Sequence, residues 1–194
     1  MKKKIAYQGR PGAYSHLVCI KAFPNYEPVP CESFEEVFKK TENKETEISL
    51  IPIENSQAGR VADIHNLLPM SNLVITGEYF HKVSHHLLGC TGSSLESIKT
   101  AESHLHALAQ CRDFLSKNKI KPIISADTAG AAEEISNAKN TSRAAIASEL
   151  AAKIYNLTIL SPDIEDATHN TTRFLFMKEN FEEVRTVSYT HLRA

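Results

Sequence analysis

The sequence lacks the features that mark membrane proteins, secreted proteins and nucleic-acid-binding proteins. No apolar run approaches the roughly 20 residues of a membrane-spanning helix. The apolar stretch that follows the amino-terminal lysines is too short for a signal peptide. The formal net charge is -1, which provides no strong field for nucleic acid or an anionic membrane. We therefore expect a cytoplasmic protein without a nucleic-acid or membrane partner.

Cysteine is sparse, and its spacing excludes the usual disulfide and zinc motifs. The four cysteines lie far apart, and no pair has C-x-x-C spacing, so we expect buried free thiols. The histidine pairs His85 with His86 and His104 with His106 are candidate metal ligands by residue type. Neither pair has a cysteine or carboxylate nearby at a known ligand spacing, so we expect no metal.

The common catalytic motifs are also missing. The sequence contains no G-x-S-x-G nucleophile elbow, no P-loop and no G-x-G-x-x-G dinucleotide fingerprint. A mechanism without a cofactor, based on neutral hydroxyl groups and an anion-binding backbone, is the interpretation that remains.

What the sequence does contain is a regular alternation of apolar runs and helical patterns. This alternation predicts an α/β protein with mostly parallel sheets and helices on their faces. The length of 194 residues suits one large domain or two small lobes. We predict lobe 1 over residues 1–77 plus 165–180 and lobe 2 over 78–164, with two chain crossings and a cleft between them. Residues 181–194 have no periodicity and form a tail of unknown status.

Local signals place several of the helices. Ser33 followed by Glu36 is a capping box, which predicts a helix through about Lys40. Apolar spacing predicts one continuous helix over residues 105–115. Residues 73–88 are expected to be extended, with a change of direction within them.

The predicted strands end in small or polar residues directly before a helix. Two of these junctions contain Gly12 with Ala13 and Asp127 with Thr128. Open parallel sheets bind ligands beyond the carboxyl ends of their strands, and helix amino termini attract anions. The junctions predict a small anionic ligand in the cleft, although the same residues would also serve simply as helix caps.

The segment 169–174 adds a charged residue at the start of an apolar strand. A charge such as that of Arg173 is costly there unless it is exposed or paired. A guanidinium group can bind a carboxylate through two parallel hydrogen bonds, and a surface ion pair is the alternative. Thr172, taken alone, is a β-forming residue.

Five motifs in this order resemble the prephenate dehydratase family, and the resemblance covers residues 4–178. They are A-Y-Q-G-R-P-G-A-Y-S at 6–15, P-I-E-N-S at 52–56 with Gly59, a serine and Q-C element at 103–111, D-T-A-G-A-A at 127–132 with A-I-A-S at 145–148, and N-T-T-R-F at 170–174. Each motif is weak alone, whereas five in order are strong.

The resemblance implies two α/β lobes, similar to the type 2 periplasmic binding protein fold, with the active site between them. It implies a cofactor-free conversion of prephenate to phenylpyruvate, water and carbon dioxide in L-phenylalanine biosynthesis. By the same match Thr172 is the proton donor, and Arg173 binds a carboxylate or organises the site. The substrate-binding positions carried over are Gly12, Ala13, Asn55, Ser56, Ser103, Gln110, Thr128 and Phe174.

Several alternatives stay open at this point. The substrate could be arogenate, or the chain could be a non-catalytic binding protein for a small carboxylate. No segment resembles the regulatory ACT domain of many family members, so the chain is either a single-domain form or a fragment. We expect a homo-oligomer, a dimer or a tetramer. Arg60 is a candidate anion clamp or interface residue, and the role of His106 is open.

Overall fold

A computed structural model describes residues 2–167 and 169–179, which form two mixed β-sheets, each flanked by helices. The predicted tail, 181–194, lies outside the described residues. No helix in the described part of the chain is long and apolar enough to cross a membrane. Cys19, Cys31, Cys90 and Cys111 are all buried free thiols, as expected.

The first sheet has the strand order β2-β1-β3-β11-β5, and β4 pairs with β3. Its strands are β1 (Lys4–Gln8), β2 (Glu27–Cys31), β3 (Ile48–Asn55), β4 (Gly59–Arg60), β5 (Val74–Lys82) and β11 (Thr171–Lys178). Helix α1 (Tyr14–Ala22) packs on one face, where Val18 meets Phe174 and Phe176. Helices α2 (Phe34–Glu42) and α3 (Ala62–Leu67) cover the other face, against Leu175 and Met177.

The second sheet has the strand order β10-β6-β9-β7-β8. Its strands are β6 (His86–Gly89), β7 (Thr100–Ser103), β8 (Lys121–Ile124), β9 (Arg143–Ala147) and β10 (Thr158–Ser161). Helices α4 (Leu105–Ala109) and α5 (Arg112–Lys117) pack on the face that carries Ile146. Helices α6 (Thr128–Ala138) and α7 (Glu149–Ile154) pack on the face that carries Ala145.

The two-sheet α/β architecture agrees with the sequence prediction, but the sheets are mixed rather than mostly parallel. β1 pairs in parallel with β2 and β3, and β7 with β8 and β9, whereas β6 and β11 pair antiparallel with their neighbours. The chain crossings explain this. β6 and β11 each arrive from the other lobe at the cleft edge of their sheet, so both must run away from the cleft.

The lobe boundary lies later than the sequence prediction placed it. β5 continues through Lys82 within the first sheet, so the first crossing falls at residues 83–85 instead of 77/78. Gly77 does not end the strand. It pairs opposite Phe176, and an added Cβ would lie 3.3 Å from that aromatic ring, so the glycine makes room for a core side chain.

The helix predicted over residues 105–115 is broken into α4 and α5. The Asp166 carboxylate accepts hydrogen bonds from the backbone N–H groups of Arg112 (2.9 Å) and Asp113 (3.2 Å), which begin α5. The Asp166 N–H donates to the Gln110 carbonyl at 2.7 Å. A carboxylate from the second crossing thus caps a new helix, and Gln110 is left at the end of α4, facing that crossing.

The cap predicted at Ser33 is confirmed. The Ser33 hydroxyl accepts from the Glu36 N–H at 3.2 Å. The Glu36 carboxylate accepts from the N–H of Glu32 (2.8 Å), one residue before the partner expected in a capping box.

Candidate active site

The glycine loop after β1 is a contact between the lobes. The Ser148 hydroxyl at the start of α7 donates to the Gly12 carbonyl at 2.6 Å, and the Tyr155 hydroxyl donates to the Pro11 carbonyl at 2.8 Å. Gly12 has a φ of +91°, and an added Cβ would lie 2.9 Å from the Ala151 Cα. A side chain here would separate the two lobes, so this contact requires glycine.

The N–H groups of this loop already have acceptors. The Gly12 N–H donates to His16 Nδ1 at 3.0 Å, and the Ala13 N–H donates to the Arg10 carbonyl at 3.1 Å. Substrate binding by Gly12 and Ala13 through these two N–H groups would first require the loop to rearrange.

Arg10, which the motif match did not single out, joins the same loop to the second lobe. Its guanidinium Nη1 lies 2.7 Å from Glu133 Oε2, and its Nε lies 3.8 Å from Asp127 Oδ2. A cavity of about 890 Å³ opens beside Arg10, lined by residues of the first lobe and by Asp127 of the second. The sequence feature that could have identified Arg10 is its position between Gly9 and Gly12, next to the predicted anion site.

Thr172 and Arg173 lie on opposite faces of the first sheet. They are consecutive residues of β11, and side chains alternate along a strand. Arg173 shares the face of α2 and α3, where its Nε lies 2.6 Å from Glu78 Oε2 and its Nη1 lies 3.2 Å from Glu54 Oε1. Both nitrogen contacts of Arg173 are thus with carboxylates of the protein itself, in a pairing that joins β11 to β3 and β5.

Thr172 faces the α1 side and is held by Asn55. The two residues are paired in register between β11 and β3, and Asn55 Nδ2 donates to the Thr172 hydroxyl oxygen at 2.9 Å. Asn55 Oδ1 accepts from the backbone N–H groups of Gln57 (2.9 Å) and Ala58 (2.8 Å). Because backbone N–H groups can only donate, these two bonds fix which end of the Asn55 amide faces Thr172.

A chain of hydrogen bonds continues from Asn55 into the second lobe. Asn55 Nδ2 also donates to Asn170 Oδ1 at 2.8 Å, and Asn170 Nδ2 donates to Gln110 Oε1 at 2.8 Å. Gln110 Oε1 also lies 2.8 Å from His85 Nε2, and His85 Nδ1 lies 2.7 Å from the Tyr14 hydroxyl. This set of six side chains, which we call the cleft network, comprises Tyr14, Asn55, His85, Gln110, Asn170 and Thr172.

Two members of the cleft network are shielded from water, and the other four are half-buried. Asn170 is 1% exposed and His85 is 3% exposed. Burial lowers the pKa of His85 and raises the pKa of Tyr14 well above its ordinary value, so both side chains are neutral at pH 7. Buried polar groups this well paired hold their geometry firmly.

The Thr172 hydroxyl accepts one hydrogen bond and keeps its own proton. No acceptor for that proton is found among residues 2–167 and 169–179, although the hydroxyl accepts from Asn55. His81 pairs in register with Thr172 on the same face, and its ring lies 6.3 Å from that of Tyr14. Tyr14 and His81 line a cavity of about 290 Å³ that also carries Lys21 and Lys82.

Ser56 lies beside the cleft network and fixes the loop that leads into β11. Its hydroxyl donates to the His169 carbonyl at 2.8 Å and accepts from the Thr171 N–H at 3.0 Å. This bonding holds the start of β11 against the end of β3.

Three further candidates from the motif match, Ser103, Phe174 and Thr128, lie outside the cleft network. Ser103 is fully buried, and its hydroxyl donates to the Ile146 carbonyl at 2.6 Å. Phe174 is 1% exposed and packs in the core beneath α1. Thr128 is half-buried at the start of α6, beside Asp127, whose carboxylate caps that helix. The side chains of Ser103 and Phe174 are thus both packed in the interior.

Two residues with open roles lie at the surface. Arg60 is exposed on β4, opposite Glu54 in register. The His106 N–H donates to His104 Nδ1 at 3.3 Å, and the two imidazole rings are 5.2 Å apart. His104 thus caps the short helix α4.

The sequence reasoning missed Tyr14, His85 and Asn170. Asn170 lies within the N-T-T-R-F motif, but the motif match assigns it no role. Residue type alone makes His85 a candidate metal ligand and nothing else. A histidine and a tyrosine 71 positions apart give no local signal, because the contact is made by the fold.

The buried histidines predict how stability depends on pH. Burial lowers the pKa of His81 from 6.5 to about 4. The unfolded chain therefore binds a proton between these pH values that the folded chain does not, so the unfolding free energy should fall as the pH drops from 6.5 towards 4. One pKa unit is worth about 1.4 kcal/mol, so His81 contributes at most about 3 kcal/mol to this fall.

Urea unfolding between pH 7.5 and 4 measures the effect. His81→Gln should flatten the pH profile, whereas His65→Gln, a change at an exposed histidine, should leave it steep. Equal slopes in wild type and His81→Gln would refute this assignment.

The fold and the site together define a two-lobed α/β protein with a hydrogen-bond network where its lobes meet. More narrowly, the chain belongs to the prephenate dehydratase family, whose model matches residues 5–182. The resemblance drawn from the five motifs is therefore confirmed.

Three similar proteins illustrate the match. A bifunctional N-acyl-homoserine lactone acylase/prephenate dehydratase of Komagataeibacter europaeus is 45% identical over 88% of this chain. Arogenate dehydratase/prephenate dehydratase 2 of Arabidopsis thaliana, a chloroplastic protein, is 43% identical over 90% of this chain. The structure of a prephenate dehydratase from Staphylococcus aureus, 27% identical, superposes with a TM-score of 0.80 over 92% of this chain and 67% of its own.

The chain spans only part of the curated relatives. It covers 60% of the first and 46% of the second. The region that the family model matches, residues 5–182, contains the whole cleft network.

Proposed function

We propose that the chain catalyses the decarboxylating dehydration of prephenate, with Thr172 donating a proton to the leaving hydroxyl group. The observation that carries this proposal is the state of the Thr172 hydroxyl, which accepts from Asn55 Nδ2 at 2.9 Å and keeps its own proton available. Membership of the prephenate dehydratase family supports the reaction class.

The reaction needs little beyond positioning and one proton. The bond to the ring carboxylate breaks and carbon dioxide leaves, its electron pair moves through the ring, and the ring hydroxyl departs as water with the proton from Thr172. The threonine is then reprotonated from solvent. Because the ring becomes aromatic, the step is strongly downhill, and a well-placed general acid suffices.

A threonine is a weak acid in water, and its surroundings must compensate. As the proton leaves, negative charge develops on the Thr172 oxygen. The Asn55 Nδ2 donor is already aimed at that oxygen, and a donor fixed in advance stabilises developing charge better than water does.

The test is direct. Purified protein mixed with prephenate should form phenylpyruvate, detected by its ultraviolet absorbance. Amino-acid analysis after incubation with arogenate tests the alternative substrate, which would yield phenylalanine. Binding of prephenate without turnover of either compound would favour a carboxylate-binding protein and end the proposal.

The name of one relative suggests a second activity to test, the hydrolysis of N-acyl-homoserine lactones. The Komagataeibacter europaeus protein is also named an N-acyl-homoserine lactone acylase and is 45% identical over 170 residues. Release of homoserine lactone from an N-acyl-homoserine lactone, measured beside the prephenate assay, tests whether this chain shares that activity.

Arg173 is proposed to organise the site rather than to bind substrate. Its contacts with Glu54 and Glu78 hold the strand residues next to Asn55 and Thr172. Arg173→Lys keeps the charge but cannot hold two carboxylates in one plane. We expect a fall in kcat with little change in KM and a stability loss of up to about 1 kcal/mol, because this ion pair is partly exposed.

A matched control lies in the other lobe. Arg143 forms a comparable pair with Glu102, at 2.7 Å and 2.9 Å, on strands that carry no member of the cleft network. Arg143→Lys should lower stability without changing kcat. A large rise in KM for Arg173→Lys would instead favour direct carboxylate binding.

Assembly into a homo-oligomer stays a prediction. β5 is an edge strand of its sheet and exposes Ile75 and Phe80, which supports an interface there. Sedimentation velocity on the purified chain measures the state.

A further inference from the structure

The hydrogen bonds of the cleft network run in one direction. The backbone N–H groups of Gln57 and Ala58 make Asn55 Oδ1 an acceptor, so Asn55 Nδ2 must donate to Asn170 Oδ1. The other end of the Asn170 amide must then donate to Gln110. Each assignment follows from the previous one, so no amide orientation is arbitrary.

The same reasoning extends to His85 and shows which of its ring nitrogens carries the proton. Gln110 Oε1 is an acceptor, so His85 Nε2, 2.8 Å away, must carry a hydrogen. In the neutral ring His85 Nδ1 is then an acceptor, and the Tyr14 hydroxyl, 2.7 Å away, donates to it. The Tyr14 hydroxyl also donates to the Ser84 carbonyl, 2.9 Å away, so its single proton is shared between two acceptors.

His85 is also fixed in place by its backbone. Its N–H donates to Glu165 Oε2 at 2.9 Å, and its carbonyl accepts from the Ile164 N–H at 2.9 Å. The residue therefore connects the two segments that join the lobes, and its imidazole spans the gap between Tyr14 of α1 and Gln110 of α4.

We propose that His85 is a positioning residue for the dehydration, whose Nε2–H tautomer holds Gln110, Asn170 and Asn55 in the one arrangement that leaves the Thr172 proton free for substrate. The inference rests on the proposed function. His85 acts through three amides and does not touch the reacting atoms.

Two substitutions separate positioning from packing. Glutamine places an amide N–H near the former Nε2, whereas asparagine is shorter and reaches only the former Nδ1. His85→Gln should therefore keep the donor to Gln110 and most of the activity. His85→Asn should lose that donor and lower kcat by about 10²-fold, the cost of a misplaced catalytic group, with KM changed little.

A neighbouring histidine provides the matched control. His86 is also buried, and its Nδ1 accepts from the Asp163 N–H at 3.2 Å, outside the cleft network. His86→Asn should leave kcat near the wild-type value, and circular dichroism should confirm that all variants fold. Equal losses in His85→Gln and His85→Asn, or a loss seen in KM alone, would overturn the proposal.

A measurement without substrate keeps this inference distinct from the proposed activity. Nitrogen-15 NMR of the wild-type imidazoles should give neutral His85 with Nε2 protonated and Nδ1 free at pH 7. Protonation at Nδ1 instead would overturn the inference whatever the enzyme does. A chain with the Nε2–H tautomer and no turnover of prephenate or arogenate would refute the proposed function, and with it the catalytic role of His85, while leaving the hydrogen-bond direction intact.

Discussion

Replacing Thr172 by alanine is expected to lower kcat by about 10²–10⁴, the usual cost of losing a general acid, while KM changes little. The physical reason is the free proton of the Thr172 hydroxyl, which alanine removes without emptying a core position. Thr172→Ser retains the hydroxyl and should keep part of the rate. Steady-state kinetics on prephenate measure both variants.

The neighbouring threonine is the control for this result. Thr171 precedes Thr172 in β11 and its side chain points to the opposite face of the sheet, so Thr171→Ala should have nearly normal kcat. A Thr172→Ala variant with near-normal turnover would remove Thr172 from the mechanism. A KM effect without a kcat effect would make Thr172 a binding group only.

The sequence predicted the architecture well because its signals are local. Alternating strand and helix patterns fixed the α/β class, and Ser33 with Glu36 located the start of α2. The errors arose where distant residues intervene. Gly77 lies within a strand because Phe176 needs the space, and the predicted helix over 105–115 breaks because Asp166 caps its second half.

The sequence predicted several residues of the candidate site but not the hydrogen bonds between them. The motif match supplied Asn55, Gln110 and Thr172, which the structure brings into one hydrogen-bond network. It could not supply their connections, because Asn55 meets Asn170 across 115 positions and Gln110 meets Asn170 across 60. Strand alternation alone separates Thr172 from Arg173, and this part of the geometry was available from the sequence.

Replacing Asn55 by aspartate should be nearly as damaging as removing Thr172, although it changes only an amide to a carboxylate of the same shape. One carboxylate oxygen keeps the hydrogen bonds from the backbone N–H groups of Gln57 and Ala58. The other then faces the oxygens of Asn170 and Thr172, where two donors stood before. The Thr172 hydroxyl would turn and donate its proton inward to the carboxylate, which leaves none for the substrate.

We therefore expect Asn55→Asp to lower kcat at pH 7 by about 10²–10⁴ while Asn137→Asp, a change on the exposed end of α6, leaves it unchanged. The pH dependence of kcat distinguishes a reversed hydrogen bond between Thr172 and residue 55 from a simple disruption of the loop. A free aspartate has a pKa of about 3.9, and burial beside two oxygens raises this pKa. Protonation restores one donor at this position, so the ratio of variant to wild-type kcat should rise as the pH falls. A ratio that stays constant with pH would mean that Asn55 only supports the loop, and normal turnover at pH 7 would mean that the donor from Asn55 to Thr172 has no part in catalysis.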